Sequence, residues 1–380
     1  MKRAAGAVVI GGGVNGCSVA YQLAKKGFRD VVIVEKAQVA SAASGRCPGG
    51  FRCQWATEAD ILLMVESIRM FTGLQEELLF PHDLEVRQVG YMFLIFSEDD
   101  LEQYKKNVRL QKGLGVPVSV MSPQEAKEMV PSLNVDGMLA ATFCPWDGRA
   151  GPYYVNHAYA EAASRLGVEI YTETRVVGLN TSESKVTGVV TDRGVIETSK
   201  VVCVAGVNSP QIARMAGIED VPIRPVQREA FITERIVREN TPVLMAPNVG
   251  YFQTPNGDVF PSLRDPENVT FDPRPTRGFL ERSSRGWMQM MPLKGDVRVL
   301  RMWAGTYDMT PDAHPIVGPM PGVEGFFMAA GFSGHGFMMA PIVGKTLAET
   351  ILGERPSVDI AALQAERFSC GHQVAEKMVY

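Results

Sequence analysis

An apolar run, Ala7 to Ile10, breaks into three glycines and is followed by a helical period from Val14 to Lys26 that Gly27 stops. A second apolar run, Asp30 to Val34, ends in Glu35. Runs this short and this apolar suit buried parallel strands, so residues 6 to 36 predict a strand–helix–strand unit. Glu58 to Leu79 has helical spacing, whereas Val89, Tyr91, Phe93 and Ile95 alternate and predict a strand over 86–96. Helical segments are expected near 98–112 and 123–129 and from Asn156 to Leu166. Strands follow at Val168 to Val177 and Lys185 to Val190 around a hairpin, and a buried one runs from Lys200 into Ala205-Gly206. Residues 221–304 show strand patterns with Pro and Gly and little helical period, before a last strand (Gly325 to Ala330) and a helix from Pro341 to Leu352.

Two of the strand-to-helix junctions are glycine-rich: Gly11 to Gly16 near the start, and Gly331-Phe332-Ser333-Gly334-His335-Gly336-Phe337 lying 320 residues later. Each presents backbone N–H groups and the positive end of a helix dipole, which suits an anion. In Gly11-x-Gly13-x-x-Gly16, Gly11 permits the tight turn, Gly13 a close approach of a pyrophosphate before Val14 and Asn15, and Gly16 helix–strand packing. Glu35, 24 residues after Gly11, is placed to accept hydrogen bonds from a ribose and to repel a ribose phosphate. The fingerprint alone fits NAD(P) as well as FAD. Two such loops suggest a dinucleotide gripped at its pyrophosphate and at its redox ring.

Composition narrows the partners. With 46% hydrophobic and 21% charged residues, the 380-residue chain is ordinary for a globular protein of two domains. Its formal charge of −4 argues against nucleic acid. No run of 18 apolar residues exists, so no transmembrane helix is expected, and the short apolar stretch after Lys2-Arg3 makes a poor export signal. Six cysteines form no Cys-x-x-Cys pair and have no histidine at metal spacing, which points to a reduced, cytoplasmic protein without a metal. The 19 methionines are expected to fill core gaps.

Taken together, Gly-Gly-Gly-Val-x-Gly, Glu35-Lys36, Ser41-x-x-Ser44-Gly45-Arg46, Trp303-Ala304-Gly305-x-Tyr307-Asp308-x-Thr310-Pro311-Asp312 and Gly331 to Phe337 resemble the FAD-dependent D-amino-acid oxidase superfamily. The nearest branch is that of sarcosine oxidase and proline dehydrogenase β subunits. The resemblance implies an α/β plus α+β fold: a Rossmann-like FAD-binding domain of the glutathione-reductase type with an inserted antiparallel β-sheet substrate domain. Residues 1–85, 145–220 and 305–380 are then the FAD-binding domain, and 86–144 and 221–304 the substrate-binding domain. It further implies cofactor contacts from Ser41, Ser44, Gly45, Arg46, Gly49 and Gly50, from Val176 at the adenine, and from Ala205 and Gly206. The C-terminal loop through Met338 then stabilises negative charge at the flavin ring edge. His335 adds positive charge there, or is a structural histidine in a tight turn.

Two departures from the resemblance matter. Gly305 stands where monomeric sarcosine oxidases attach flavin through cysteine, so FAD is expected to be held non-covalently. Met338 stands where those enzymes carry a lysine that helps activate oxygen, which favours a dehydrogenase. Substrate carboxylate needs a cation, best the planar fork of arginine; the resemblance assigns it to Arg52, with Tyr307 orienting, and Tyr251 and Arg264 as further candidates. Arg52 read as a surface or ion-pair arginine, and Arg301 as a structural one, stay open. No histidine occupies the Arg149–Val155 stretch that matches a covalent FMN site, and His157 suits a helix interior, which leaves room only for a non-covalent FMN at a subunit interface.

The expected activity is FAD-dependent oxidation of an amino-acid amine, such as proline, sarcosine or an N-substituted amino acid, to an imine by hydride transfer to flavin N5. The chain would be the β-type catalytic subunit of a heteromeric dehydrogenase with an α-type partner, linked through that partner to a membrane electron acceptor. The rivals are a self-sufficient oxidase making hydrogen peroxide, a flavin-bearing scaffold subunit and, least favoured, an NAD-dependent dehydrogenase.

Overall fold

A computed structural model describes residues 1–237, 241–247, 249–263, 268–272, 274–292, 296–371 and 375–376. The glycine fingerprint lies inside a six-stranded sheet in the order Ile316–Pro319, Phe326–Ala330, Val201–Cys203, Ala7–Ile10, Val31–Val34, Glu169–Tyr171. All neighbours are parallel except the first pair. Ala7–Ile10 and Val31–Val34 are buried along their whole length, which explains their unbroken apolar sequences. Alternate residues feed two cores. Val9, Val31, Ile33 and Val202 pack under helices with Val19, Leu23, Val343 and Leu347. Val8, Ile10, Val32 and Val34 pack on the opposite side with Val186, Val189, Ile196 and Ile212.

The first helix, Val14–Lys25, lies against the last long one, Gly336–Ile351. Ser18 Oγ donates to the Ala340 carbonyl at 2.8 Å, and a Cβ on Gly344 would come 2.1 Å from that hydroxyl, so the helices meet at a glycine. The last helix begins at Gly336, five residues earlier than Pro341 suggested, and runs through that proline. His335 is therefore its N-cap rather than part of a loop leading to it.

The second sheet has eight strands, in the order Val299–Met309, Arg224–Thr233, Val259–Leu263, Val249–Gln253, Val243–Met245, Tyr91–Ile95, Ala140–Cys144, Ser119–Met121. The expected antiparallel pairing holds except where Val243–Met245 runs parallel to Tyr91–Ile95 and joins the two inserted segments. Val299–Met309 crosses from this sheet towards the Asp308–Asp312 turn beside the six-stranded sheet. One face of the sheet packs Phe231, Leu244 and Tyr251 against Phe279, Trp287 and Met290. The other face carries Tyr91, Phe93, Ala230, Phe252 and Phe260.

Several local elements differ from the sequence reading. Arg277–Met290 is a 14-residue helix capped by Thr276, whose hydroxyl accepts from Phe279 N at 3.2 Å. Its two glycines and adjacent serines lower helix propensity and mask the buried face of Phe279, Ser283, Trp287 and Met290. The expected helix over 58–79 breaks at Gly73 into Glu58–Thr72 and Leu74–Leu78. The helix expected from Asn156 starts at Pro152, which supplies a preformed first turn. The strand expected over 168–177 is two strands in different sheets, Glu169–Tyr171 and Val176–Ser182. Among the described residues, no helix is long and apolar enough to cross a membrane.

Candidate active site

A groove of about 610 Å³ lies at the C-terminal ends of the central parallel strands, where Ile10, Val34 and Val204 give way to Gly11, Glu35 and Ala205. Two helix N-termini face it. Neither Gly13, capping the first helix, nor His335, capping the last, uses a side chain as a cap, and neither first turn holds an acid. Both ends therefore keep N–H groups and positive potential for an anion. Asn15 Nδ2 donates to the Gly336 carbonyl at 2.8 Å and ties the two ends together, while its buried Oδ1 finds no partner among the described residues.

The glycines of the fingerprint are needed sterically. A Cβ at Gly11 would lie 2.4 Å from the Val204 carbonyl oxygen, and one at Gly16 would lie 2.0 Å from that of Gly11. Gly16 therefore serves packing and does not itself line the groove. Glu35 accepts from the N–H groups of Gly12 at 2.7 Å and Ala37 at 2.9 Å, which fixes its carboxylate on the groove wall. Val14 N donates to Ser44 Oγ at 3.0 Å, so the Ser41–Arg46 loop closes over the first helix terminus. Lys36, Ser41, Val176, Ala205 and Gly206 complete the wall. The uncapped helix ends, the carboxylate and the bare backbone fit a dinucleotide of the size of FAD.

A second chamber of about 120 Å³ opens onto this groove. The two share Ala43, Arg46, Cys47, Thr306, Tyr307, Gly334 and Phe337. Gly49, Gly50, Arg52, His335 and Met338 line the chamber alone. Phe252 and Phe260 supply much of its apolar wall.

Arg52 is buried, 4% exposed, and its guanidinium lies 3.9 Å from the centre of the Trp55 ring and 5.6 Å from that of Phe93. Nη1 donates to the Gln54 carbonyl at 2.5 Å. The loop carrying it is held by Asp147, which accepts from Cys53 N at 2.7 Å and Gln54 Nε2 at 2.9 Å. Burial pushes the Asp147 carboxyl up to about 6, against the opposing pull of those donors and of Arg52. Arg52 is thus not a surface arginine, although sequence alone left that open.

Tyr307 is pressed against the C-terminal turn: a Cβ on Gly334 would come 2.3 Å from its ring. The turn is set by Asp308, which accepts from Gly331 N at 2.8 Å, and by Ser333, whose Oγ accepts from Thr310 N at 3.2 Å. Gly331, Ser333 and Gly45 shape the loops and do not line either cavity. Burial lowers the His335 imidazole well below its ordinary value, and the charges of Arg52 and His314 add to that. It is a neutral ring at pH 7, so the helix terminus and not the histidine supplies the positive potential.

Tyr251 is misplaced by the sequence reading. Its side chain enters the core on the far face of the sheet, 6.3 Å from the Trp287 ring, and Phe252 faces the chamber in its stead. Strand alternation specifies two faces but not which one meets the site. Arg264 lies outside the described residues. Arg301 is exposed, beside Trp303. Sequence reasoning missed Arg228, Cys47, Tyr91 and Thr306, all of which line the chamber. The only signal for Arg228 was a charged residue between Val226 and Ala230 on one face of an alternating strand.

This geometry is that of a dinucleotide-dependent oxidoreductase, and the chain belongs to the FAD dependent oxidoreductase family, whose family model matches residues 7–350. It is 28% identical over 383 residues to the sarcosine oxidase subunit beta of Arthrobacter sp, covering 99% of this chain and 94% of that one. It is similar to human mitochondrial sarcosine dehydrogenase at 28% identity, matching 97% of this chain but 42% of that longer protein. Among solved structures, the L-proline dehydrogenase from P. horikoshii superposes with a TM-score of 0.94 at 33% identity, covering 98% of this chain and 100% of that one.

Proposed function

We propose that this oxidoreductase oxidises the amine of a small amino acid to an imine, with a secondary amine such as proline, sarcosine or another N-substituted amino acid as substrate. The observation that carries the reading is a buried arginine, Arg52, in a small chamber that opens directly onto the dinucleotide groove. Bound FAD supplies the hydride acceptor. Arg52 holds the substrate carboxylate, and Tyr307, fixed against Gly334, orients it from the shared wall. Phe252 and Phe260 exclude water and disfavour the ammonium form, so that the amine is bound neutral. Among the described chamber residues Glu229 is the single carboxylate, and its oxygens are turned to Thr276. The site therefore works by binding the neutral amine rather than through a dedicated base.

The similarity to sarcosine oxidase β subunits supports a β-type subunit working with an α-type partner that takes the electrons onward. Met338 in place of a cation near the last helix terminus supports the dehydrogenase over the oxidase. Gly305 offers no nucleophile, in keeping with non-covalent FAD, and a second flavin, FMN, would belong to the subunit interface.

The test is the visible flavin spectrum of the purified holoprotein during anaerobic addition of proline, sarcosine and other amino acids. Bleaching by a secondary amine is the expected result, with slow recovery in air. A flavin left oxidised by every amine, with or without a partner subunit, would overturn the reading.

A further inference from the structure

We infer that the chamber recognises an amino acid carrying a second acid group, and that Arg228 is the specificity-determining residue that reads it; this rests on the amine-oxidising reading above. Among the described residues, three arginines line the chamber: Arg46, Arg52 and Arg228. Arg46 is engaged with the wall shared with the groove, where its Nη1 donates to the Ala304 carbonyl at 2.9 Å. Arg52 is the first carboxylate site.

Arg228 reaches in from a different element, the strand Arg224–Thr233. In register it stands opposite Gly305, with Val226 opposite Tyr307 and Ala230 opposite Trp303. Directly opposed residues of antiparallel strands share a face, so Arg228 lies on the same side as Tyr307 and Trp303. A Cβ at Gly305 would come 3.7 Å from the Arg46 side chain, so the bare backbone there is covered by Arg46. Its guanidinium carbon lies 5.4 Å from the centre of the Tyr307 ring.

The polar atoms of Arg228 are under-used. Nη1 donates to the Gln227 carbonyl at 3.3 Å, while Nε is buried without an acceptor among the described residues. A buried charged donor left unmatched is costly, so such a group marks a place for a ligand acceptor. The nearest acid in sequence, Glu229, is committed to Thr276 N and Oγ1. A substrate with one carboxylate satisfies Arg52 and leaves Arg228 unmatched. A diacid, such as an N-carboxymethyl amino acid or an N-alkyl aspartate, matches both arginines.

The experiment compares matched pairs on the holoprotein under anaerobic conditions: iminodiacetate against sarcosine, and N-methylaspartate against N-methylalanine. Thiodiacetate against methylthioacetate, which carry no amine to oxidise, adds a binding readout through the shift of the flavin absorption band. The expected result is half-saturation by each diacid at a concentration about 10-fold or more below that of its monoacid partner. Arg228→Gln should then shrink the diacid-to-monoacid ratio by about 10- to 100-fold, the scale of one charged hydrogen bond, and Arg228→Lys should restore part of it. Wild-type protein that prefers no diacid in either the reduction or the binding assay overturns the inference while leaving amine oxidation standing. So does an Arg228→Gln protein with a normal flavin band and an unchanged ratio. Failure of every amine to bleach the flavin removes the amine reading and this one with it. Should Arg228→Gln lose its flavin, the wild-type pairs alone decide.

Discussion

The guanidinium of Arg52 stacks 3.9 Å from the centre of the Trp55 indole, and the His335 ring stands nearly perpendicular to the same indole at 4.4 Å. One tryptophan thus links Arg52, the cation proposed for the substrate carboxylate, to the N-cap of the helix that faces the cofactor groove. The stack uses the flat face of a guanidinium, which lysine lacks. Arg52→Ala is expected to raise the half-saturating amine concentration by about 10- to 100-fold, with flavin still bound. Arg52→Lys should recover only a minor part of that loss, since it keeps the charge without the stack or the fork. Stopped-flow reduction across substrate concentration measures both, and full recovery by lysine would reduce Arg52 to a point charge.

Asp147 carries a second prediction. Its carboxyl is raised to about 6 by burial and holds the backbone at Cys53 and the Gln54 side chain. A group whose folded value lies above its unfolded one adds stability at low pH that is lost as pH rises through the folded value. Wild-type protein should therefore lose the Asp147 contribution between about pH 4 and pH 6. In Asp147→Asn that slope in the melting temperature should become shallower, leaving the part set by Asp308, which burial also raises to about 6, and amine binding should weaken because the Arg52 loop is less firmly held. An unchanged slope would sink the assignment.

What the sequence disclosed and what it hid follow from the range of the interactions. Gly11, Gly13, Gly16 and Glu35 were legible because a strand, a turn, a helix and the next strand lie close together in the chain and each needs particular backbone chemistry. The second loop was legible only as a motif. That His335 caps a helix became visible once the packing of the first and last helices, through Ser18 and Gly344, carried the last helix back beyond Pro341. Arg228 was hidden because its meaning depends on its register opposite Gly305, and a strand pattern does not reveal register. The same lack of facing information put Tyr251 in the site when it belongs to the core beneath.

Two histidines should shift stability in opposite directions. Burial acts to lower the His314 imidazole, but its hydrogen bond to Asp60, at 2.8 Å, and the charges of Asp60, Asp312 and Glu376 outweigh it and raise the value. Its stabilising contribution is full below the ordinary histidine value and is lost as pH rises through the raised one. His335, lowered by burial, contributes above the ordinary value and loses that contribution as pH falls. Relative to wild type, His314→Gln should be most damaging on the acid side, whereas His335→Gln should be relatively less damaging there. Melting temperatures from pH 5 to pH 9 distinguish the two, and parallel curves would refute the opposite signs.

Gly334 offers the sharpest separation of substrate site from fold. It has φ of +96°, and a Cβ there would lie 2.3 Å from Cε2 and 2.7 Å from Cζ of Tyr307. Gly353 has φ of +74° and open space around its Cβ position. Both alanine variants meet the backbone cost of a left-handed conformation, about 1 kcal/mol, but only Gly334→Ala must also displace a ring, for about 1–3 kcal/mol more. Gly353→Ala should therefore melt slightly lower and oxidise its amine normally. Gly334→Ala should melt lower still and need more amine for half-reduction, because the ring that moves is the one on the wall shared by groove and chamber. If the two variants lose stability equally and both keep wild-type reduction, Tyr307 does not orient the substrate.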